Sequence, residues 1–413
     1  MNHFTSRRGS LHCESVPLSR IAAEVGTPTY VYSTATLNRH LGVLRAAFEG
    51  TPHLLCYAVK ANSSLAILKL FAKQGAGFDI VSGGELVRVL TARGRPERVV
   101  FSGVGKTRDE LAFALKSGIL QFNVESAEEL AALDQVARSL NTHAPFAMRV
   151  NPHIDAGTHR KISTALTTSK FGVPFKEAIA LYRHSRTLKG LLARGLDYHI
   201  GSQVTAAGPV REAIAKVAEL FLQLRGEGFG LTHLDIGGGL GIIYRDEKPL
   251  SVAEYAASVR GALKGIEATL VLEPGRVLVG NAGVLLTRVL YRKQTPARRF
   301  IIVDAGMNDL LRPALYDAHH EIVPVKPRRG KKQRADVVGP VCESSDVLGH
   351  ARRLPPLEQG DLLATMSAGA YGMSMASNYN ARPRPAEVLV DGDRYRVVRR
   401  RESLEDLLRN ETP

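Results

Sequence analysis

A lysine stands at the end of an apolar run in Leu54-Leu55-Cys56-Tyr57-Ala58-Val59-Lys60-Ala61-Asn62. The run reads as a buried β-strand, and a strongly hydrated ammonium delivered by such a strand needs a chemical reason. One reason is a Schiff base to a carbonyl cofactor, since burial lowers the amine pKa and makes Lys60 nucleophilic. The plain alternative is a lysine that has just left its strand and points into water. Two glycine clusters bring a second chemistry: Asp235-Ile236-Gly237-Gly238-Gly239-Leu240-Gly241 and Glu273-Pro274-Gly275-Arg276. Glycines let backbone N–H groups approach phosphate oxygens, and an arginine complements the charge. A tight turn is the alternative for either cluster alone. In Asp197-Tyr198-His199-Ile200-Gly201-Ser202-Gln203, His199 could stack on a flat heterocycle and Ser202 could add a hydroxyl donor. Glu273 could hold a proton on a ring nitrogen. A satisfied core histidine and a surface carboxylate are the bland readings of these two.

These residues need a scaffold that brings them to one place. From about residue 54 to 272, short β-like runs alternate with helical patterns. The expected strands are 54–59, 77–81, 98–101, 119–124, 146–150, 191–199, 233–236 and 269–272. Helical patterns fall between them at 64–74, 84–92, 107–116, 126–139, 175–185, 210–225 and 251–263. Eight strands separated by helices is the count of an α/β (β/α)8 TIM-type barrel. In such barrels the chemistry sits at the C-terminal strand ends, with phosphate often in the loops after strands seven and eight. Both glycine clusters fall there. The G-x-G-x-x-G of a first βα unit, which would mark a dinucleotide site, is absent. After Gly275 the pattern changes to strands without regular helices, at 277–290, 300–304, 336–341, 361–365 and 386–390. The expected division is a barrel over 26–283 and a mainly β domain over 284–413, completed by 1–25. The stretch 151–174 is too long for an ordinary connection, and Gly157-Thr158-His159 with Ser169-Lys170-Phe171-Gly172 suits a lid over a site better than an insertion.

Composition narrows the class. Of 413 residues, 44% are hydrophobic and 23% charged, which describes a soluble chain with ample core. No apolar run approaches the roughly 20 residues that span a bilayer. Residues 1–20 lack the apolar centre of a signal peptide. Cys13, Cys56 and Cys342 follow no metal or disulfide spacing and fit a reducing cytoplasm. The net charge of +15 raises nucleic acid as a partner. Much of the excess lies in Lys326–Arg334 and Arg399-Arg400-Arg401, without interleaved aromatics. Solvated loops are the better reading of both, so nucleic acid is not expected as a partner.

Taken together, Tyr57-Ala58-Val59-Lys60-Ala61-Asn62, His199-Ile200-Gly201-Ser202-Gln203 and the two glycine clusters resemble the fold type III, alanine-racemase-like, pyridoxal-phosphate decarboxylases. Phe78-Asp79-Ile80-Val81-Ser82-Gly83-Gly84-Glu85 and Ser169-Lys170-Phe171-Gly172 fit the same pattern. Two later segments, Gly339-Pro340-Val341-Cys342-Glu343-Ser344-Ser345-Asp346 and Gly369-Ala370-Tyr371-Gly372-Met373-Ser374-Met375, are similar to the members that act on diaminopimelate. The resemblance spans about residues 25–395. It implies that Lys60 carries pyridoxal 5'-phosphate, that His199 stacks on its ring and that Glu273 pairs with the ring nitrogen. Gly238, Gly239, Gly241, Gly275 and Arg276 would bind the phosphate, with Asp79, Ser202 and Tyr371 completing the cofactor set. Arg276, Arg312 and Tyr316 would recognise the substrate's distal carboxylate and Glu343 its distal ammonium, with Tyr371 touching substrate as well. Cys342, from the second subunit of a homodimer, would move a proton at Cα. The set implies no metal.

The implied reaction is decarboxylation of meso-2,6-diaminopimelate to L-lysine and CO2, the last step of lysine biosynthesis, in a soluble cytoplasmic enzyme. A far end carrying both an ammonium and a carboxylate needs an anion and a cation to meet it, and arginine's planar fork suits the carboxylate. Relatives acting on ornithine or arginine need no such arginine and tend to carry aspartate where this chain has Glu343. Two alternatives stay open: another carboxylated diamine as substrate, as in carboxynorspermidine decarboxylases or a specialised-metabolism paralogue, and a non-catalytic regulatory homologue. The lid departs from the resemblance at Arg160, Lys161 and Ala165, where relatives usually have proline, tyrosine and glycine.

Overall fold

The structure is a computed structural model, and it describes residues 2–7, 9–154 and 169–412. Contacts divide the chain into two compact units: residues 41–242 with 248–276, and residues 1–40, 243–247 and 277–413.

The first unit is a closed barrel of eight parallel strands: His53–Ala58, Gly77–Ile80, Val99–Phe101, Gln121–Val124, Ala144–Val150, Leu191–Tyr198, His233–Asp235 and Thr269–Leu272. Each expected strand is present, with ends moved by two residues at most. Closure comes from the eighth strand pairing with the first, Leu272 opposite Leu55. Four of the helices between the barrel strands start at side-chain caps. Ser82, Thr107, Ser126 and Ser251 each accept the backbone N–H three residues on, and Thr107 and Ser251 form full capping boxes with Glu110 and Glu254.

Side chains on a strand alternate between faces, so the inward set can be counted by twos. Cys56, Val100 and Val271 pack together inside the barrel with Leu54 and Leu120 against them. Two residues further along the same three strands lie Ala58, Ser102 and Glu273. An apolar layer thus supports a polar one at the C-terminal end, and this is the step that positions the chemistry.

In the second unit a long strand, Gly283–Gln294, is the spine of a nine-stranded sheet. It pairs antiparallel with Thr29–Ser33 and Leu362–Thr365 in its first half and with Arg299–Val303 in its second. Ala386–Asp391 then adds parallel to Thr29–Ser33. The first residues form a separate three-stranded sheet, Phe4–Arg7, Ser10–Cys13 and Val16–Pro17. Phe4, Cys13, Val16, Leu18 and Ile21 pack with Val284, Leu286, Val388 and Val390 in one core. The mainly β domain is therefore completed by N-terminal residues, and these extend to His40 because Thr29–Ser33 is itself a strand of the larger sheet. The stretch expected as a strand from 277 begins instead as a short helix, Arg276–Val279. An apolar run without alternation fits a buried helix as well as a buried strand.

Some arginines of the basic segments have carboxylate partners. Arg328 grips Asp361 through Nε at 3.1 Å and Nη2 at 2.5 Å and reaches Glu358 at 3.2 Å. Arg400 holds Asp406, with Nη2 at 2.7 Å from Oδ1, and Arg401 Nη2 donates to Thr29 Oγ1 at 3.2 Å. Among the described residues no helix is long and apolar enough to cross a membrane. The lid residues Gly157, Thr158, His159, Arg160, Lys161 and Ala165 lie outside the described residues.

Candidate active site

Lys60 leaves the first barrel strand in a single 3-10 turn, Val59–Ala61. Its Nζ lies 2.6 Å from Oδ2 of Asp79, which the second strand buries completely. The lysine side chain keeps 37% of its exposure. The residue has left the strand, as the plain reading expected, yet its amine is drawn back onto a buried carboxylate and does not simply point into water.

Glu273 directly follows the eighth strand and is buried. Its Oε1 accepts from Ser102 Oγ at 3.2 Å and Asn123 Nδ2 at 3.3 Å. Burial first, then the negative charge of Asp79, pushes its carboxyl up to about 7, against the pull of Lys60 and Arg149. Asp197 and Asp235 complete a cluster whose donor oxygens all lie within 4.8 Å of one another. Both are raised well above the ordinary aspartate value, by burial first and the Glu273 charge next. Arg149 holds the cluster's cationic side, 3.0 Å from Glu125 and 3.9 Å from Asp197. Asp197 and Asp235 each feel the charge of Glu273, and Asp235 that of Asp197 as well, so the cluster does not ionise as independent groups.

The loops after strands six, seven and eight interlock. Gly238 N–H donates to His199 Nδ1 at 3.1 Å. With Nδ1 accepting, the ring proton sits on Nε2. The ring is neutral, as burial and then the charges of Arg149 and Lys60 hold its pKa well below the usual histidine range. Arg276 Nη2 donates to Ser202 Oγ at 3.0 Å, joining two residues singled out separately in the sequence. A Cβ on Gly275 would stand 3.1 Å from those of Ala58 and Ala61, so this glycine lets the Arg276 loop close on the Lys60 turn.

The glycine-rich loop packs tightly against its neighbours. Gly237 and Gly239 have positive φ, +62° and +107°. A Cβ on Gly238 would lie 2.2 Å from the carbonyl oxygen of Glu273. The Gly238 amide is committed to His199, and the Gly241 amide to Val204 O at 3.1 Å. Gly238→Ala must therefore displace Glu273 itself. We expect it to lower the unfolding free energy by on the order of 1–3 kcal/mol, read as a lower denaturant midpoint, and to reduce cofactor uptake. An unchanged midpoint with full uptake would mean the loop has room that its geometry denies.

The remaining expected residues belong to the second unit. Arg312 opens the short helix Arg312–Tyr316 and is buried, whereas Tyr316 at its end is half-buried. Cys342 is an exposed free cysteine. Its backbone N–H donates to Asn380 Oδ1 at 2.9 Å. Glu343 accepts from Tyr379 Oη at 2.8 Å. Asp346 fixes the loop that carries them, accepting from Val341 N at 2.7 Å and Met307 N at 2.6 Å. Tyr371 takes a left-handed conformation, φ +55°, a local strain that tends to accompany function. Cys13 and Cys56 are buried, which drives both thiols well above the ordinary value and makes them inert.

Sequence reasoning missed the polar ring around Glu273: Ser102, Asn123, Arg149, Asp197 and Asp235. Counting by twos from the inward apolar residues would have pointed to Ser102. It also missed Tyr244 and His320, which flank Arg312: the Tyr244 ring centroid is 4.4 Å from the guanidinium and His320 Nε2 is 2.8 Å from Nη1.

The family described as pyridoxal-dependent decarboxylase, pyridoxal binding domain, matches residues 34–280. The diaminopimelate decarboxylase of Pseudomonas aeruginosa is 52% identical over 412 residues, covering 100% of this chain and 99% of that relative. Among solved structures, diaminopimelate decarboxylase from Helicobacter pylori complexed with L-lysine has a TM-score of 0.93 at 44% identity, covering 95% of this chain and 99% of that one. The M. jannaschii enzyme in co-complex with L-lysine also has a TM-score of 0.93, at 36% identity, with 100% and 99% covered.

Proposed function

This chain belongs to the pyridoxal-dependent decarboxylase family, and from that premise we propose that it converts meso-2,6-diaminopimelate to L-lysine and CO2. The observation that carries the reading is the gathering, at one barrel end, of an amine on a buried carboxylate, a carboxyl poised near neutrality and an arginine on a glycine-built loop. Pyridoxal 5'-phosphate fits these residues. Lys60 supplies the amine that would hold it, Glu273 a carboxyl suited to its ring nitrogen, and His199 a neutral ring to lie against it. The Gly239 and Gly275 loops with Arg276 would meet its phosphate. The Gly238 and Gly241 amides already bind protein atoms, so their part is to shape the loop. When bound, the cofactor takes up the electron pair left as the Cα–carboxylate bond breaks.

The protein's own work is to orient and to move protons. Asp79 keeps the Lys60 amine at the barrel end. Asn123 and Ser102 aim the Glu273 carboxyl, and burial with the charge of Asp79 raises its affinity for a proton against the pull of Lys60 and Arg149. Arg276, Arg312 and Tyr316 would bind the carboxylate that is retained, and Glu343 the ammonium beside it, a match that favours a diamino diacid over ornithine or arginine. Tyr371 would touch both cofactor and substrate. The partner subunit's Cys342 would protonate Cα in a homodimer, and a reducing, cytoplasmic setting suits such a thiol.

The test is to load purified protein with pyridoxal phosphate, supply meso-diaminopimelate, and measure lysine and CO2. Equal amounts of both are expected. Turnover of ornithine, arginine or a carboxylated polyamine in preference to diaminopimelate would move the substrate assignment. No turnover of any amino acid would leave a regulatory homologue.

A further inference from the structure

We propose that His320 and Tyr244 are positioning residues that fix the Arg312 guanidinium for the substrate's retained carboxylate and so set the preference for a diamino diacid. The inference rests on the proposed reaction and concerns residues that the motifs do not include. Arginine carries many rotamers, and ordering it at the moment of binding would weaken a contact that should discriminate. Here the ordering is built in. Arg312 Nη1 lies 2.8 Å from His320 Nε2, and His320 Nδ1 lies 2.9 Å from Met366 O.

The donor inventory settles the histidine's state. Guanidinium only donates and a carbonyl only accepts, so Nε2 accepts from Arg312 and Nδ1–H donates to Met366. His320 is therefore a neutral imidazole with both nitrogens satisfied. It is fully buried, and burial with the Arg312 charge holds its pKa down at about 3. The guanidinium Cζ lies over the Tyr244 ring, 4.4 Å from its centroid, and Tyr244 meets the His320 ring edge-on at 5.3 Å. One neighbour thus holds the guanidinium by a hydrogen bond and the other by its ring. His320 is neutral, so it orients Arg312 without adding a charge of its own. Lysine in place of Arg312 could touch both neighbours only as a point charge, with no plane and no fork for them to orient.

A purely structural pair would hold the fold without favouring any ligand group, and the substrate's chemistry separates the two cases. Only one carboxylate leaves diaminopimelate, so L-lysine retains the other, whereas 1,5-diaminopentane has none. With cofactor-loaded full-length protein, His320→Leu and Tyr244→Leu are each expected to raise KM for meso-diaminopimelate and the inhibition constant of L-lysine about 10- to 100-fold. The kcat should stay within about threefold, the signature of lost binding common to ground and transition states. The inhibition constant of 1,5-diaminopentane should not move. His320→Gln, which keeps a neutral acceptor for Arg312, should recover most of the loss. Equal rises for L-lysine and the diamine, or a fall in kcat with KM unchanged, would overturn the proposal. If His320→Leu does not fold, Tyr244→Leu decides the matter by the same ratio. Wild-type protein that does not turn over diaminopimelate would remove the reading beneath it, an outcome visible before any variant is made.

Discussion

Replacing Lys60 with alanine abolishes the near-ultraviolet to visible band of the cofactor-loaded protein and lowers lysine formation on the order of 10^4-fold. The expectation follows from where the amine sits. A 3-10 turn after the first strand places Nζ 2.6 Å from Asp79 and beside a loop that Gly275 brings close. No other described lysine among the proposed site residues can replace it. The variant also leaves Asp79 buried without its cation, and Asp79 Oδ1 has no hydrogen-bond partner among the described residues. Removing one partner of a fully buried pair costs about 3–5 kcal/mol. Lys60 keeps 37% of its side-chain exposure, so water screens part of that loss and the cost is smaller. Lys60→Arg separates the two effects. It returns a cation to Asp79 and should recover stability, yet it gives no amine able to bond the cofactor, so band and turnover should stay absent. A band that survives in both variants would mean the cofactor is held elsewhere.

Lys60 was legible because it broke a pattern: a charge at the end of six apolar residues asks for an explanation. The barrel was legible for a related reason, since eight short runs with helices between them leave few other folds. The polar ring around Glu273 was not. Asn123 in Gln121-Phe122-Asn123-Val124 and Arg149 in Ala147-Met148-Arg149-Val150 read as interruptions of a strand until one knows which face turns inward. That face is decided by strands distant in sequence, as Cys56, Val100 and Val271 show by meeting in one layer. Thr29–Ser33 escaped for the same reason: all five residues are buried, and their pairing partners start 250 residues later, at Gly283. His320 lay beyond reach because its role depends on Tyr244, some 76 residues earlier, and no local spacing signals that contact. The glycine loop was read as a close approach to phosphate, and the protein itself supplies close approaches that no local pattern signals. Gly238 approaches the Glu273 carbonyl and gives its amide to His199.

Glu273→Gln separates stability from function, because the two have opposite needs at this position. A carboxyl raised from its ordinary 4.5 to about 7 binds its proton more tightly in the folded chain than in the unfolded one. Its stabilising share is fully present below about pH 4.5 and is lost as pH rises through 7. The loss is at most about 3 kcal/mol, and Asp197 and Asp235 add to it in the same direction because the cluster titrates together. Glutamine keeps an oxygen for Ser102 and Asn123 and carries no charge to repel the two aspartates. The cofactor-free variant should therefore melt higher than wild type at pH 8, about equal to it at pH 5, and show a flatter dependence between. Catalysis needs the opposite state, an ionised carboxylate to keep a proton on the cofactor's ring nitrogen and strengthen its pull on electrons. Turnover should fall on the order of 10^2-fold or more, near the cost of removing one preorganised electrostatic contact. Differential scanning of the cofactor-free proteins at several pH values, with initial rates on the loaded ones, reads both effects. Parallel melting curves would show that Glu273 ionises as an ordinary carboxylate despite its burial, and full turnover would remove it from the cofactor's electronics. A stabler fold with less catalysis is what a buried acid kept for its chemistry predicts: folding favours the neutral group, and the reaction requires the charged one.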